Sequence, residues 1–512
     1  MLHAPNHRCL SNGWLTVLLI VPWLSPYTAG PTTNAWPWLI SVFCAAMVWL
    51  LRRRLSVRLI AATWVLAASL SAVIGLLQYF GLAQALSPWV SQTVTGDAFA
   101  NLRQRNQFAT LTSIGLVALI ALIALPATPG PRPSTDAVPW WANALALLLA
   151  LGNATSNSRT GLLQWALVLG LTLWWSAADR RRQVVLTLRA VLAYGVAVLA
   201  LPWLLELATG VTSGGLFGRL LETSSCGSRR VLWSNVLTLI AQKPWLGWGW
   251  GELAYAHFMT QYAGPRFCDI LDNAHNLPLH LAVELGLPAA LAVCCGLGWL
   301  VWRARPWRET VPARQMAWGV LAVILLHSLL EYPFWYGPFQ LAAGLCVGVL
   351  WASAAAAGSN AGEAFGCSRH QESWRNSALA NALHMLIAIC LIAFSVLAAM
   401  DYYRVSQIYL APEERSAAYR EDTLNKIRGV WLFREQARFA ELAVTDVTPG
   451  NAAAVYVMAR DLLHYSPEPR VIEKLIESAG LLGRDEDAAL YLARYRAAFP
   501  QDYARWVLKN PD

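Results

Sequence analysis

Charge is scarce. Asp, Glu, Lys and Arg together make 13% of the 512 residues, against roughly 25% in a soluble domain. With 56% hydrophobic residues and a mean hydropathy of +0.41, an ordinary soluble globular chain is excluded. Several chemical signatures are also missing. The sequence has no Cys/His zinc spacing, no phosphate-cradling glycine loop and no G-x-S-x-G turn, so a zinc module, a P-loop nucleotidase and a serine hydrolase are not indicated. The first apolar run lacks a small-residue cleavage site and a second run follows at once, so it reads as a span rather than a signal peptide.

What is present is apolar sequence in long runs. Runs near 13–29, 35–51, 58–76, 107–126, 139–154, 161–177, 187–208, 275–300, 315–331, 337–357 and 381–399 predict about eleven transmembrane helices, each of roughly 20 residues. The fold class is therefore all-α and polytopic. Twenty-six tryptophans suit aromatic belts at the headgroups. The net charge of +9 does not indicate nucleic-acid binding, because the arginines sit in short clusters between spans. Arg52, Arg53, Arg54 and Arg58 follow the second run, Arg180, Arg181, Arg182 and Arg189 the sixth, and Arg303, Arg305, Arg308 and Arg314 the eighth. The positive-inside rule makes that side cytoplasmic. The loops near 77–106, 155–160, 209–274 and 332–336, and the tail, are then expected outside. A segment at 354–373 reads as a flexible linker before the last span.

The tail, 401–512, holds seventeen of the 30 acidic residues. Its amphipathic segments predict a helical-hairpin domain resembling tetratricopeptide-type repeats, without a clean 34-residue period. The expected domains are thus a membrane domain over 1–400, including the loop 209–274, and a helical domain over 401–512. By this topology only Cys226 and Cys268 of nine cysteines fall in the large outer loop. An oxidising compartment allows them to pair, stabilising a loop of roughly 40 residues by about 3–4 kcal/mol. Two free thiols are the plain alternative.

Four polar islands are expected on the outer side: 101–110, 156–161, 228–256, and 272–276 with 331–336. Each has a plain reading. A single arginine can snorkel to headgroups, a histidine or asparagine can cap a helix, and glycines can serve a tight turn. Together they point to an anion site. Guanidinium groups bind phosphate oxygens bidentately, and a histidine beside them can move a proton near neutral pH.

These motifs resemble the O-antigen ligase and polymerase superfamily of bacterial envelopes. Its signature is His, Asn, nine residues, Gly, three residues, then Gly, Thr or Tyr. Here His275, Asn276, Gly286 and Ala290 occupy those positions, Ala290 being a mild departure. "SNSRTG" resembles the family's Ser-Arg motif, which implies a catalytic Arg159. "SRRVLW" before "KPWLGWGWG" resembles its Arg-x-x-x-Trp and Pro-x-x-Gly-x-Gly pattern, with Arg229 four before Trp233. "RNQFAT" resembles its Asn-containing segment. "EYPFWYGPF" and the helical tail resemble the branch of pilin-glycosylating O-oligosaccharyltransferases.

The resemblance implies transfer of a preassembled glycan, with inversion, from undecaprenyl diphosphate to Ser or Thr of pilin or another periplasmic protein. It places the chain in the bacterial inner membrane with its site facing the periplasm. His275, Arg159 and Arg229 are implied as catalytic. Arg105, Asn106, Gln107, Arg230, Asp272, Asn276, Glu331 and Tyr332 are implied as substrate-binding. Asp269 and Asp272 raise the question of a metal. A site without metal or cofactor is expected, since arginines can neutralise a diphosphate. The alternatives are a ligase acting on lipid A-core, a polymerase, or a lipid-linked glycan transporter. A transporter would bury charge at mid-span, whereas Arg159, Arg229 and His275 fall at span ends or in loops.

Overall fold

A computed structural model describes residues 7–125, 137–175, 181–221, 226–359 and 370–509, and every regular element among them is helical. In chain order the first helices are α1 (His7–Leu24), α2 (Ala35–Leu50), α3 (Val57–Tyr79), α4 (Arg105–Ala124), α5 (Trp140–Thr155), α6 (Arg159–Trp174), α7 (Arg181–Thr209) and α8 (Gly215–Leu221). Next come α9 (Arg229–Gln242), α10 (Leu253–Met259), α11 (Leu277–Leu285), α12 (Leu287–Ala304), α13 (Pro312–Ser328), α14 (Gly337–Ser359) and α15 (His370–Ser406). The tail carries α16 (Thr423–Ile427), α17 (Arg434–Val444), α18 (Ala452–Tyr465), α19 (Pro469–Leu481), α20 (Asp485–Ala498) and α21 (Pro500–Lys509). Five segments are long and apolar enough to cross a membrane: Val57–Tyr79, Arg105–Ala124, Arg181–Thr209, Leu287–Arg308 and Ala380–Tyr409.

The described chain forms two compact units. The first runs to Thr28, resumes from Asn34 to the end of α8, and takes Ala304–Leu397. Its centre is α4, buried on nearly every side and packed on α3, α5, α6 and α13. Small residues permit this closeness. A Cβ on Gly115 would meet the Ala68 methyl at 2.4 Å, and one on Gly152 would meet that of Ala72 at 2.5 Å. Close approach of small residues drives association where lipid removes the hydrophobic force between helices. One buried polar cluster in this unit is internally bonded: Gln164 Nε2 donates to Thr110 Oγ1 at 2.8 Å, and Thr110 Oγ1 lies 2.9 Å from His327 Nδ1.

The second unit contains 29–33, the described residues up to Arg303, and the chain from Ala398 onward. It has two cores. Leu232, Val236 and Leu239 of α9 pack with Phe267, Leu271 and Val283. Leu462, Ile472, Leu475 and Tyr495 of the tail pack with Phe258 of α10, which is 2% exposed. This division differs from the expected boundary at 400. The loop after α8 folds with the tail, because α10 supplies Phe258 to the tail's core.

Two further expectations change. The apolar run at 275–300 is two helices, not one span: α11 ends at Gly286, whose φ is +87°. A Cβ there would lie 2.1 Å from the Trp245 carbonyl oxygen, so backbone meets backbone at a point only glycine fits. The candidate span begins at Leu287, and α11 belongs to the loop's own core. The linker expected at 354–373 is helical at its two ends, to Ser359 and from His370; its middle, and Arg180, lie outside the described residues.

Candidate functional site

In the second unit, Ser228 caps α9 by accepting from the Val231 N–H, and Arg229 is the first helical residue. One turn on, the Trp233 indole donates to the Ala274 carbonyl at 3.0 Å. The Arg-x-x-x-Trp spacing is thus an i,i+4 pair whose second member ties α9 to the residue before His275. Asn235 reinforces the tie. It accepts from the Phe267 N–H at 2.8 Å and donates to the Pro265 carbonyl at 3.0 Å. Cys226 and Cys268 are joined in a disulfide, with Cα atoms 5.4 Å apart. Arg266 donates to the Thr260 and His257 carbonyls, fixing the segment that leads to Cys268.

His275 itself is left-handed, with φ +50°. Its N–H donates to Asn273 Oδ1 at 2.9 Å, and Asn276 caps α11 by accepting from the Leu279 N–H at 3.0 Å. Asn276, expected as a substrate ligand, also caps α11. A non-glycine residue at positive φ costs about 1–3 kcal/mol and persists only where its surroundings fix it. Asp272 is exposed and close enough for its charge to interact with that of His275. Arg229 is half-buried, and Arg230 and Asp269 are exposed. Asn273 and Trp233 escaped the sequence reading as functional residues, although the four-residue spacing to Arg229 was a signal for Trp233.

In the first unit a second set converges. Asn106 Nδ2 donates to Glu331 Oε1 at 2.9 Å, and Ser158 Oγ donates to Asn106 Oδ1 at 2.6 Å. Ser158 also caps α6, accepting from the Gly161 N–H at 3.0 Å, and exposed Arg159 is the first residue of that helix. Arg105 pairs with Asp97. Buried Gln107, with Tyr332 and Asn34, surrounds the Tyr336 hydroxyl, whose pKa is raised mainly by burial. Ser158 is the serine of the Ser-Arg motif, and its two bonds make it a helix cap and a partner of Asn106.

One pattern recurs. Arg103, Asn157 and His275 all have positive φ, and each precedes a side-chain-capped helix start at Gln104, Ser158 and Asn276. α4, α6 and α9 each begin with arginine and have no acidic residue in the first turn. The positive end of a helix dipole disfavours a cation and favours an anion, and at α4 the carboxylate of Asp97 pairs with Arg105.

Residues 144–294 match the family model described as O-antigen ligase. Over these residues the chain resembles the O-antigen ligase family. Residues 98–123 match a protein glycosylation ligase model, and residues 315–511 match the C-terminal model of a virulence factor membrane-bound polymerase. Two curated relatives come from Acinetobacter baylyi. A general O-oligosaccharyltransferase is 26% identical over 293 residues, 56% of this chain and 49% of the relative. A ComP-specific O-oligosaccharyltransferase is 25% identical over 307 residues, 58% of this chain and 51% of the relative. The chain therefore spans about half the length of the curated relatives it matches. No solved structure matches. With its apolar helices and this likeness, the chain is a multi-pass membrane protein.

Proposed function

We propose that this protein is a glycosyltransferase that moves a preassembled oligosaccharide from undecaprenyl diphosphate to a Ser or Thr hydroxyl of a periplasmic protein, a pilin being the favoured acceptor. In this reading the chain lies in the bacterial inner membrane with about eleven spans. Its site and its tetratricopeptide-like tail face the periplasm. The observation that carries the proposal is the arginine at the first position of the acid-free starts of α6 and α9, in a chain whose relatives are O-oligosaccharyltransferases.

The acceptor oxygen attacks the anomeric carbon and inverts it. The new C–O bond forms as the bond to the diphosphate breaks. His275 positions or deprotonates the acceptor hydroxyl or contacts the donor phosphate, and Arg159 and Arg229 hold the diphosphate as it leaves with its charge. Arg105, Arg230, Asn106, Gln107, Glu331, Tyr332 and Asp272 are assigned to positioning donor and acceptor. The bonds within the first unit make Asn106 and Glu331 organisers of the Arg159 helix start as well. The match to a polymerase C-terminal model over 315–511 favours a second reading, in which the acceptor is a growing glycan. Co-expression with a lipid-linked glycan and a pilin, followed by intact-protein mass spectrometry, tests both. A glycan mass on the pilin is expected. Long free chains with unmodified pilin would establish the polymerase.

A further inference from the structure

A groove runs between α2, the start of α3 and α14, and none of its lining residues is assigned to transfer. It encloses about 620 Å³, within the roughly 300–1,000 Å³ of small-molecule pockets. Gly344 and Gly348 of α14 line it, and a Cβ on either would meet nothing within 4 Å. The helix face there is open along its length and not closed by neighbouring side chains. One end is shut. Gly337 approaches Ser41 so closely that a Cβ on it would overlap the serine's, and Trp38 Nε1 donates to Gln340 Oε1 at 3.1 Å.

The other end is basic. α2 finishes at Leu50, and the next turn is Arg52–Arg54. Arg52 lines the groove, while Arg53 and Arg54 are exposed. The Arg52 fork is held in place. Nη1 donates to the Trp49 carbonyl at 3.1 Å and Nη2 to Asn381 Oδ1 at 3.3 Å, and the guanidinium carbon stands 5.6 Å from the Trp49 ring centroid. These bonds use two of the five guanidinium N–H groups, so the fork keeps donors for a phosphate. The sequences of α2, this turn, α3 and α14 contain no acidic residue, so these elements bring no countercharge. Trp49 and Trp351 are both exposed at this end, and tryptophan marks headgroup depth.

Length selects the occupant. The lining from Ser41 to Arg52 covers eleven positions, about 16 Å at 1.5 Å per residue. The hydrocarbon of one leaflet is about 15 Å deep, half of the bilayer core. The groove therefore matches one acyl chain from the leaflet at the arginine end; an undecaprenyl tail is far longer. We infer that this groove binds an anionic phospholipid, with an acyl chain along Gly344 and Gly348 and its phosphate at the arginine turn. Arg52 grips the phosphate, and Arg53 and Arg54 attract its charge. A zwitterionic lipid offers the same chain and phosphate but carries its own cation, so it gains less from three arginines.

The site is independent of the transfer reaction, and its test reads binding alone. Full-length protein, delipidated in detergent, is titrated with phosphatidylglycerol or phosphatidylcholine and followed by native mass spectrometry. Wild type is expected to hold one phosphatidylglycerol roughly tenfold or more tighter than phosphatidylcholine. Gly344→Leu and Gly348→Leu fill open space, so both should accumulate normally and lose that lipid. Arg52→Gln combined with Arg53→Gln should still bind lipid but lose most of the preference, which keeps the test open if the leucine variants do not accumulate. Gly170→Leu, where an added Cβ also meets nothing within 4 Å, and Arg303→Gln lie outside the groove and should bind as wild type does. Equal affinity for the two lipids, or phosphatidylglycerol binding untouched by both leucine variants, would overturn the inference. Undecaprenyl phosphate lost from the leucine variants while phosphatidylglycerol stays bound would give the groove to a polyprenyl tail. A Gly344→Cys protein that crosslinks to residues 360–369 and binds no lipid would give it to the chain's own segment.

Discussion

At the scale of single residues, His275 combines a strained backbone with a titratable ring. Asparagine adopts positive φ more readily than most residues, so His275→Asn keeps the turn while removing the imidazole. Transfer should be abolished in this variant and in His275→Ala, with normal membrane accumulation; glycoprotein yield by mass spectrometry is the check. Arg159→Lys and Arg229→Lys keep charge but lose the fork that binds two oxygens. A charged hydrogen bond contributes about 1.5–3 kcal/mol, so each should lose roughly tenfold or more in transfer rate. Two lysine variants as active as wild type would make headgroup snorkelling the better account. His257 gives a pH prediction. Burial and then Arg266 lower its pKa to about 3, below the ordinary 6.5 that an unfolded chain would show. Between those values the unfolded state binds more protons, so stability rises with pH across the window. Unfolding of the second unit should thus become easier as pH falls from about 6.5, and His257→Gln should flatten that slope.

Among elements, the junction of α11 and α12 and the tie from α9 to Ala274 matter most. Gly286→Ala forces a side chain into positive φ, at about 1–2 kcal/mol, and into the Trp245 carbonyl. Transfer should fall sharply, with increased protease sensitivity of the loop. Trp233→Phe removes one donor and should cost about 0.5–1.5 kcal/mol, read as a smaller loss of activity. Replacing Cys226 or Cys268 by Ser should lower activity without touching a reacting group. The double variant should be no worse than either single one, since the same bond is lost each time. Non-reducing peptide maps report whether the bond is present in protein from the oxidising compartment.

For the whole molecule, Arg159 and Arg229 are proposed to supply the positive charge that a divalent ion would bring to a diphosphate. Chelator should leave transfer unchanged; activity lost in chelator and restored by magnesium or manganese would shift that role toward Asp269 and Asp272. The all-helical class was legible from composition and run length alone, because lipid forces every backbone group into a helix wherever the chain crosses. The superfamily was legible because its signature residues stand at fixed spacings along one chain: His275, Asn276, Gly286, Arg229 and Trp233. The break at Gly286 was not legible. Its cause is the Trp245 carbonyl, forty-one positions earlier, and apolar periodicity on both sides of the glycine is uninterrupted. The union of the loop with the tail was equally hidden, since it depends on Phe258 entering a core built from α18 to α20. Sequence thus determined that the chain is helical and singled out the residues proposed to bear the chemistry. Tertiary structure decided which caps, clasps and buried partners hold them, because those contacts join residues whose separation along the chain says nothing of their separation in space.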